Sequence, residues 1–234
     1  MKAEREPQVY FIGDSHCAAL LAGARQLGLR AEGASWSGST WHEGRFALND
    51  NGITPRGLPQ AGRMMDELRA RVGRDKVVPE GMPVVSTLGF HLGRLVPPIG
   101  WNGHEMLPRD EGFPEGADIV SRAFLRDYLE HHRRRHFRIA RRWARQERLI
   151  LVVPPPAFER PNYRAVREIL VDWYRDAGLT VFDPAGAFAA EPQGLVPATM
   201  LEEDGVHGTP DYGARVLRAM VREGVLDLAL PQEA

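Results

Sequence analysis

Val9-Tyr10-Phe11-Ile12-Gly13-Asp14-Ser15, followed by an apolar-periodic stretch from Cys17 to Leu27, is the part of the chain whose reading decides the fold. Four consecutive apolar residues read as a strand buried on both faces. Gly13-Asp14-Ser15 supplies turn chemistry, and Gly28 can close the helix that follows. The same alternation recurs downstream. Helices are expected near Met64 to Val72, from about Ser121 to Arg148 and near Tyr163 to Ala177, with strands at Pro83 to Leu88, Leu149 to Val153 and Thr180 to Phe182. Continuous apolar strands alternating with helices predict a three-layer α/β domain around a mostly parallel sheet.

The 234 residues carry 30 Lys+Arg against 31 Asp+Glu, a formal charge of -1 and a single cysteine. That length fits one domain over 1–234, able to bury roughly 70% of its unfolded surface without disulfides or structural zinc. Cys17 alone makes neither, which fits a reducing compartment, and residues 1–7 enter the first strand without a signal-peptide apolar core; a cytoplasmic protein is expected. No apolar run approaches the roughly 20 residues of a membrane-spanning helix, and the balanced charge argues against global capture of nucleic acid. Residues 97–118 are rich in Pro and Gly and follow neither period, so a lid or binding loop is expected there. No phosphate-binding loop and no dinucleotide fingerprint follows a strand, which sets aside the usual nucleotide-dependent readings of an α/β chain.

Ser15 follows the first strand, so its hydroxyl should stand at a helix N-terminus, where free backbone N–H groups favour developing negative charge. The bland alternative is a capping serine. Far along the chain comes Asp204-Gly205-Val206-His207-Gly208-Thr209-Pro210, in which Thr209 can cap, and Pro210 open, a helix running to about Arg222. Asp204 lies three residues before His207 and can reach the ring nitrogen not needed for chemistry, fixing the tautomer of a base that takes a proton from Ser15.

Phe11-Ile12-Gly13-Asp14-Ser15 together with the late Asp204-x-x-His207 resembles the GDSL/SGNH hydrolase superfamily, and the resemblance spans nearly the whole chain. Ser37-Gly38-Ser39-Thr40 is similar to the family's second block, whose glycine N–H serves the oxyanion hole, so the resemblance gives Gly38 that role beside the N–H of Ser15. Leu149 to Val153 followed by Pro154-Pro155-Pro156 is similar to the family's fourth strand and its exit. The resemblance implies a flavodoxin-like sheet of about five parallel strands and a serine-dependent carboxylic ester hydrolase. That activity needs no cofactor or metal and removes a short acyl group, acetyl foremost, from a carbohydrate or small-molecule ester. An acyltransferase uses the same triad.

One block departs from the family pattern. Where Gly-x-Asn-Asp is expected the chain reads Leu88-Gly89-Phe90-His91-Leu92, which puts His91 in the place of the asparagine. A neutral imidazole can donate one hydrogen bond, so His91 is a candidate third oxyanion donor; losing such a donor costs about 10²- to 10³-fold in turnover. The alternative is a strand-end histidine satisfied locally. His16 replaces the leucine of the family's name motif and is expected to point into the helix packing, without a role. Cys17 reads as a small buried hydrophobe.

Asp14, Trp41 and Trp101 are expected to contact substrate, with Trp36, His42, Asn102, His104 and Glu105 also placed to line a cleft over Ser15, a mix that suits a sugar ring. The stretch 121–148 holds ten Arg and three His against three acids. Phe124, Tyr128, Ile139 and Trp143 recur at helical spacing as its core-facing stripe, and the arginines, Arg133-Arg134-Arg135 included, read as a solvated face. The competing reading is a non-catalytic binding protein on this scaffold whose arginine helix takes an anionic polymer or acidic partner. His132 and His136 have the spacing of a helical zinc pair, but the residues between them are all Arg, which argues against metal. Gly33-Ala34-Ser35-Trp36-Ser37 lacks the final glycine of a nucleophile elbow.

Overall fold

The computed structural model describes residues 6–96, 118–157 and 161–230. The expected lid at 97–118 falls outside the described residues except for Asp118, and so do Trp101, Asn102, His104 and Glu105. In chain order, β1 (Val9–Gly13) leads into α1 (Ser15–Gln26), then β2 (Ala31–Ser35), the short α2 (Gly38–His42), and a hairpin of β3 (Phe46–Asn49) and β4 (Gly52–Pro55). α3 (Pro59–Val72), β5 (Pro83–Ser86), α4 (Arg122–Gln146) and β6 (Arg148–Val152) follow. α5 (Pro161–Asp176), β7 (Thr180–Phe182) and α6 (Pro210–Arg222) complete the set.

Five strands form one sheet in the order β2-β1-β5-β6-β7, and every pairing in it is parallel. This is the flavodoxin-like order, in which the chain steps outward on one side of β1 and then returns to build the other. The reversal leaves a crevice outside the carboxyl ends of β1 and β5, where ligands bind in open α/β sheets. Side chains alternate across the sheet with period two. Val9, Phe11, Val85, Ile150 and Val152 face the core under α1 and α6, and Tyr10, Ile12, Val84, Leu149 and Leu151 face the core with residues of α3, α4 and α5.

α1 and α6 cross at glycines. A Cβ added to Gly213 would lie 2.0 Å from the Ala19 carbonyl oxygen, and one added to Gly23 would lie 2.2 Å from the Ala214 nitrogen. The missing side chains let the two backbones touch, which fixes the start of α6 against the middle and end of α1.

The expected strands and helices are present with shifted ends. α1 begins at Ser15 rather than Cys17 because Asp14, not Ser15, is its cap, accepting from the His16 N–H at 3.1 Å. β5 stops at Ser86, whose hydroxyl accepts from the Leu88 N–H at 3.2 Å and turns the chain. The hairpin β3–β4 was not foreseen. Of the expected core-facing stripe of α4, Trp143 is buried and Tyr128 and Ile139 pack against the core, but Phe124 is 57% exposed, and Leu125, Leu129, Arg133, His136 and Ala140 are buried beside them. Arg133 therefore does not belong to a solvated face, although Arg134, Arg138, Arg141, Arg142 and Arg145 are exposed. Among the described residues no helix is long and apolar enough to cross a membrane.

Candidate active site

Ser15, His207 and Asp204 converge at the crevice between β1 and β5. Ser15 opens α1 directly after β1, so its hydroxyl is held by the first helical turn. Asp204 and His207 sit on a loop closed by an antiparallel bridge between Leu201 and Gly208, with Glu202 N–H donating to the His207 carbonyl at 2.8 Å and Thr209 N–H to Met200 at 3.0 Å. Thr209 and Pro210 then start α6 as expected. The loop thereby takes its position from α6, and α6 takes its own from the glycine crossing with α1.

His207 Nδ1 lies 2.5 Å from Asp204 Oδ2, and His207 Nε2 lies 2.7 Å from Ser15 Oγ. The carboxylate keeps the ring proton on Nδ1, so Nε2 presents a lone pair and accepts from the Ser15 hydroxyl. Asp204 Oδ1 is occupied separately, accepting from the backbone N–H groups of Val206 and His207 at 2.9 Å each. The His207 N–H, the His207 ring and the Val206 N–H hold its carboxyl well below the usual carboxylate range. Asp204 is therefore charged at neutral pH, and the dyad is oriented before substrate arrives.

Four other histidines surround this core. His16, expected to pack inside α1 without a role, instead stacks on His207 with ring centroids 4.7 Å apart and planes 27° from parallel. Burial pushes its pKa down against the opposing pull of Asp14, so it is neutral at neutral pH. His91 follows β5 and lies over Gly38: a Cβ on Gly38 would stand 2.5 Å from His91 Nδ1 and Cε1. Gly38 is buried at the N-terminus of α2, so the residue pair singled out from the sequence does meet. Burial, then the charge of Arg133, pushes His42 down to about 4, and burial takes His136 down to about 3.

Arg133 ties these pieces together. It is 1% exposed and donates to the carbonyls of Gly89 and His91 at 2.9 Å each and to His42 Nδ1 at 3.1 Å. Gly89 has φ +96°, and a side chain there would strike the Tyr174 hydroxyl. His136 bonds to the Trp41 carbonyl, which splits the His132/His136 pair considered for zinc. Among the described residues no group of three or more His, Cys, Asp or Glu is arranged to hold a metal ion.

Two expected substrate contacts are buried. Trp41 is 2% exposed and stacks on Trp36 at 4.6 Å, so it fills the core rather than lining a cleft. Asp14 is 1% exposed; its Oδ1 accepts from the Thr87 hydroxyl at 2.6 Å, which braces β1 against β5. Cys17 is buried as expected, and burial pushes its thiol pKa up. A cavity of about 660 Å³ opens beside the triad, with His16, His91 and Val206 at its near end and Pro154, Tyr163 and Leu195 farther out. Arg167, also on its wall, is paired with Asp183.

Fold and site together define a class, a parallel α/β domain with a Ser–His–Asp chain at its switch point. No protein-family model matches the chain, and no curated protein matches it in sequence. Among solved structures it is similar to a catalytic mutant of an acetylxylan esterase from Geobacillus stearothermophilus, at 14% identity over 97% of each chain and a TM-score of 0.48. A GDSL-like lipase from Bacteroides thetaiotaomicron matches at 15% identity over 96% of this chain and 89% of that one, with a TM-score of 0.43. A family two carbohydrate esterase from Clostridium thermocellum matches at 16% identity over 94% and 64%, with a TM-score of 0.44.

Proposed function

We propose that the protein is a serine-dependent carboxylic ester hydrolase acting on a carbohydrate or small-molecule ester. The observation that carries this reading is the unbroken hydrogen-bonded chain from Ser15 Oγ through His207 to Asp204, at 2.7 and 2.5 Å, beside an open cavity. In the first step Ser15 Oγ attacks the ester carbonyl as His207 Nε2 takes its proton, and His207 passes that proton to the departing alcohol. The N–H groups of Ser15 and Gly38 are assigned to the oxyanion, and His91 stands where the family resembled carries an amide. Water then releases the acyl group by the reverse sequence.

Acetyl remains the proposed acyl group, and the cavity is far larger than an acetyl, so the alcohol half of the ester is assigned to it. Acyl transfer to another hydroxyl is the second reading, because the same triad serves it. The binding-protein reading loses one of its three central arginines, since Arg133 is buried. The test is hydrolysis of p-nitrophenyl acetate and octanoate, with fluorophosphonate labelling, by the wild type and Ser15→Ala. Turnover and labelling should both vanish in the variant while its melting temperature holds; labelling that persists in Ser15→Ala would remove the serine from the mechanism.

A further inference from the structure

Asp14 and His91 form a second acid–imidazole pair beside the nucleophile, and the triad does not use it. Asp14 is almost wholly buried, with Oδ1 taken up by Thr87 and the His16 N–H, yet its Oδ2 has no hydrogen-bond partner. His91 Nδ1 stands 4.0 Å from that oxygen. A buried carboxylate oxygen left without a donor is costly, so the proton of the His91 ring belongs on Nδ1, facing Asp14. Hydrogen bonds of this kind are often long without ligand and tighten when substrate closes the site.

The ring is seated against Gly38 and its backbone is held. The absent side chain of Gly38 makes room for its Nδ1 edge, and Arg133 clamps the His91 backbone carbonyl. The groups facing it are Asp14, which favours its protonation, and Arg133, Arg94 and His207, which oppose it, with His42 edge-on at 6.1 Å and His16 at the same end of the cavity. Burial is the largest influence and the pKa falls, so the ring is neutral at neutral pH. A neutral imidazole with its proton on Nδ1 has only a lone pair on Nε2. It cannot donate to an oxyanion, but it can accept.

We propose that His91, keyed by Asp14, orients the water that attacks the acyl-enzyme, accepting the hydrogen that His207 does not take. This rests on the reading of Ser15 as nucleophile. One hydrogen of the water goes to His207 Nε2 as the water oxygen bonds to the acyl carbon. The bond from that carbon to Ser15 Oγ breaks, and Oγ takes the proton back from His207. His91 holds the second hydrogen throughout and ends as it began. An alcohol has a single hydroxyl hydrogen and cannot satisfy both rings, so the pair favours hydrolysis over transfer.

The experiment gives wild type, His91→Ala and His91→Phe p-nitrophenyl acetate in buffer with methanol. It measures turnover, the ratio of methyl acetate to acetate, and the rate of fluorophosphonate labelling at Ser15; His91→Phe keeps a ring over Gly38 should His91→Ala unfold. Labelling is expected to stay within about threefold of wild type, while hydrolysis falls about tenfold and the methyl acetate share rises by a similar factor, the scale of one lost hydrogen bond. Normal labelling with an unchanged product ratio overturns the assignment. Labelling slowed about 10²- to 10³-fold at an unchanged ratio makes His91 an oxyanion donor and overturns it as well. Wild type that never labels at Ser15 removes the nucleophile reading, and this assignment falls with it.

Discussion

His16 shows how much a single side chain's surroundings decide. It follows Ser15 in sequence, and its ring lies against the ring of His207, with Nδ1 buried and unpartnered. Because burial keeps it neutral, it presents His207 with an uncharged aromatic face, which restrains the imidazole without opposing the positive charge that forms on it. His16→Phe should therefore keep kcat within about threefold, and His16→Ala should lower it up to about tenfold, matching an aromatic pair of about 0.5–1.5 kcal/mol. Slower labelling of Ser15 in parallel would place the effect on His207, whereas a change in KM alone would make His16 a mere wall of the cavity. The sequence offered no signal for this contact. Which way His16 points depends on where the loop before α6 docks, and His207 on that loop lies 192 positions away from Ser15. Ser15 and the Asp204–His207 pair were legible because each depends on local order, a strand running into a turn and two residues spaced three apart.

At the scale of elements, α4 and the α1–α6 pair carry the site. The arginine density of α4 reads as solvent-facing, and for most of the helix that holds. Arg133 is the exception because its acceptors, the Gly89 and His91 carbonyls, are 44 and 42 residues distant and no periodicity reveals them. The hairpin β3–β4 was missed for a related reason: its strands are four residues each, too short for alternation to stand out. The crossing of α1 and α6 makes a sharper prediction. Gly213→Ala places a methyl group 2.0 Å from a backbone oxygen that has nowhere to go, so α6 must move off α1. A loss of about 1–3 kcal/mol in stability is expected from such overpacking, with turnover falling further than stability alone accounts for, because His207 travels with α6. Thermal melting and p-nitrophenyl acetate turnover check this together; a variant that melts early yet turns over normally when folded would break the proposed link between crossing and triad.

Across the whole molecule, the neutral histidines set the response to acid. Unfolded histidines titrate near 6.5, whereas burial holds His42 at about 4 and His136 at about 3 and lowers His16 as well. Below pH 6.5 the unfolded chain binds more protons than the folded one, so this contribution is complete above 6.5 and is lost as pH falls toward the folded values. Glu147 acts oppositely: burial raises it from 4.5 to about 7, which costs stability as pH rises through that window. Three histidines outweigh one glutamate, and the melting temperature should fall from pH 6.5 to pH 4, less steeply in His136→Gln. A melting temperature that is flat, or rises, over that range would contradict the buried neutral rings.

The glycine crossing also orders events in time. Ser15 and β1, near the middle of the sheet, leave the ribosome long before Asp204, His207 and α6. Until α6 seats against α1, the Ser15 hydroxyl lacks the His207 ring that lies 2.7 Å from it. The closeness that Gly23 and Gly213 permit lets that late docking bring Ser15 and His207 within hydrogen-bond reach.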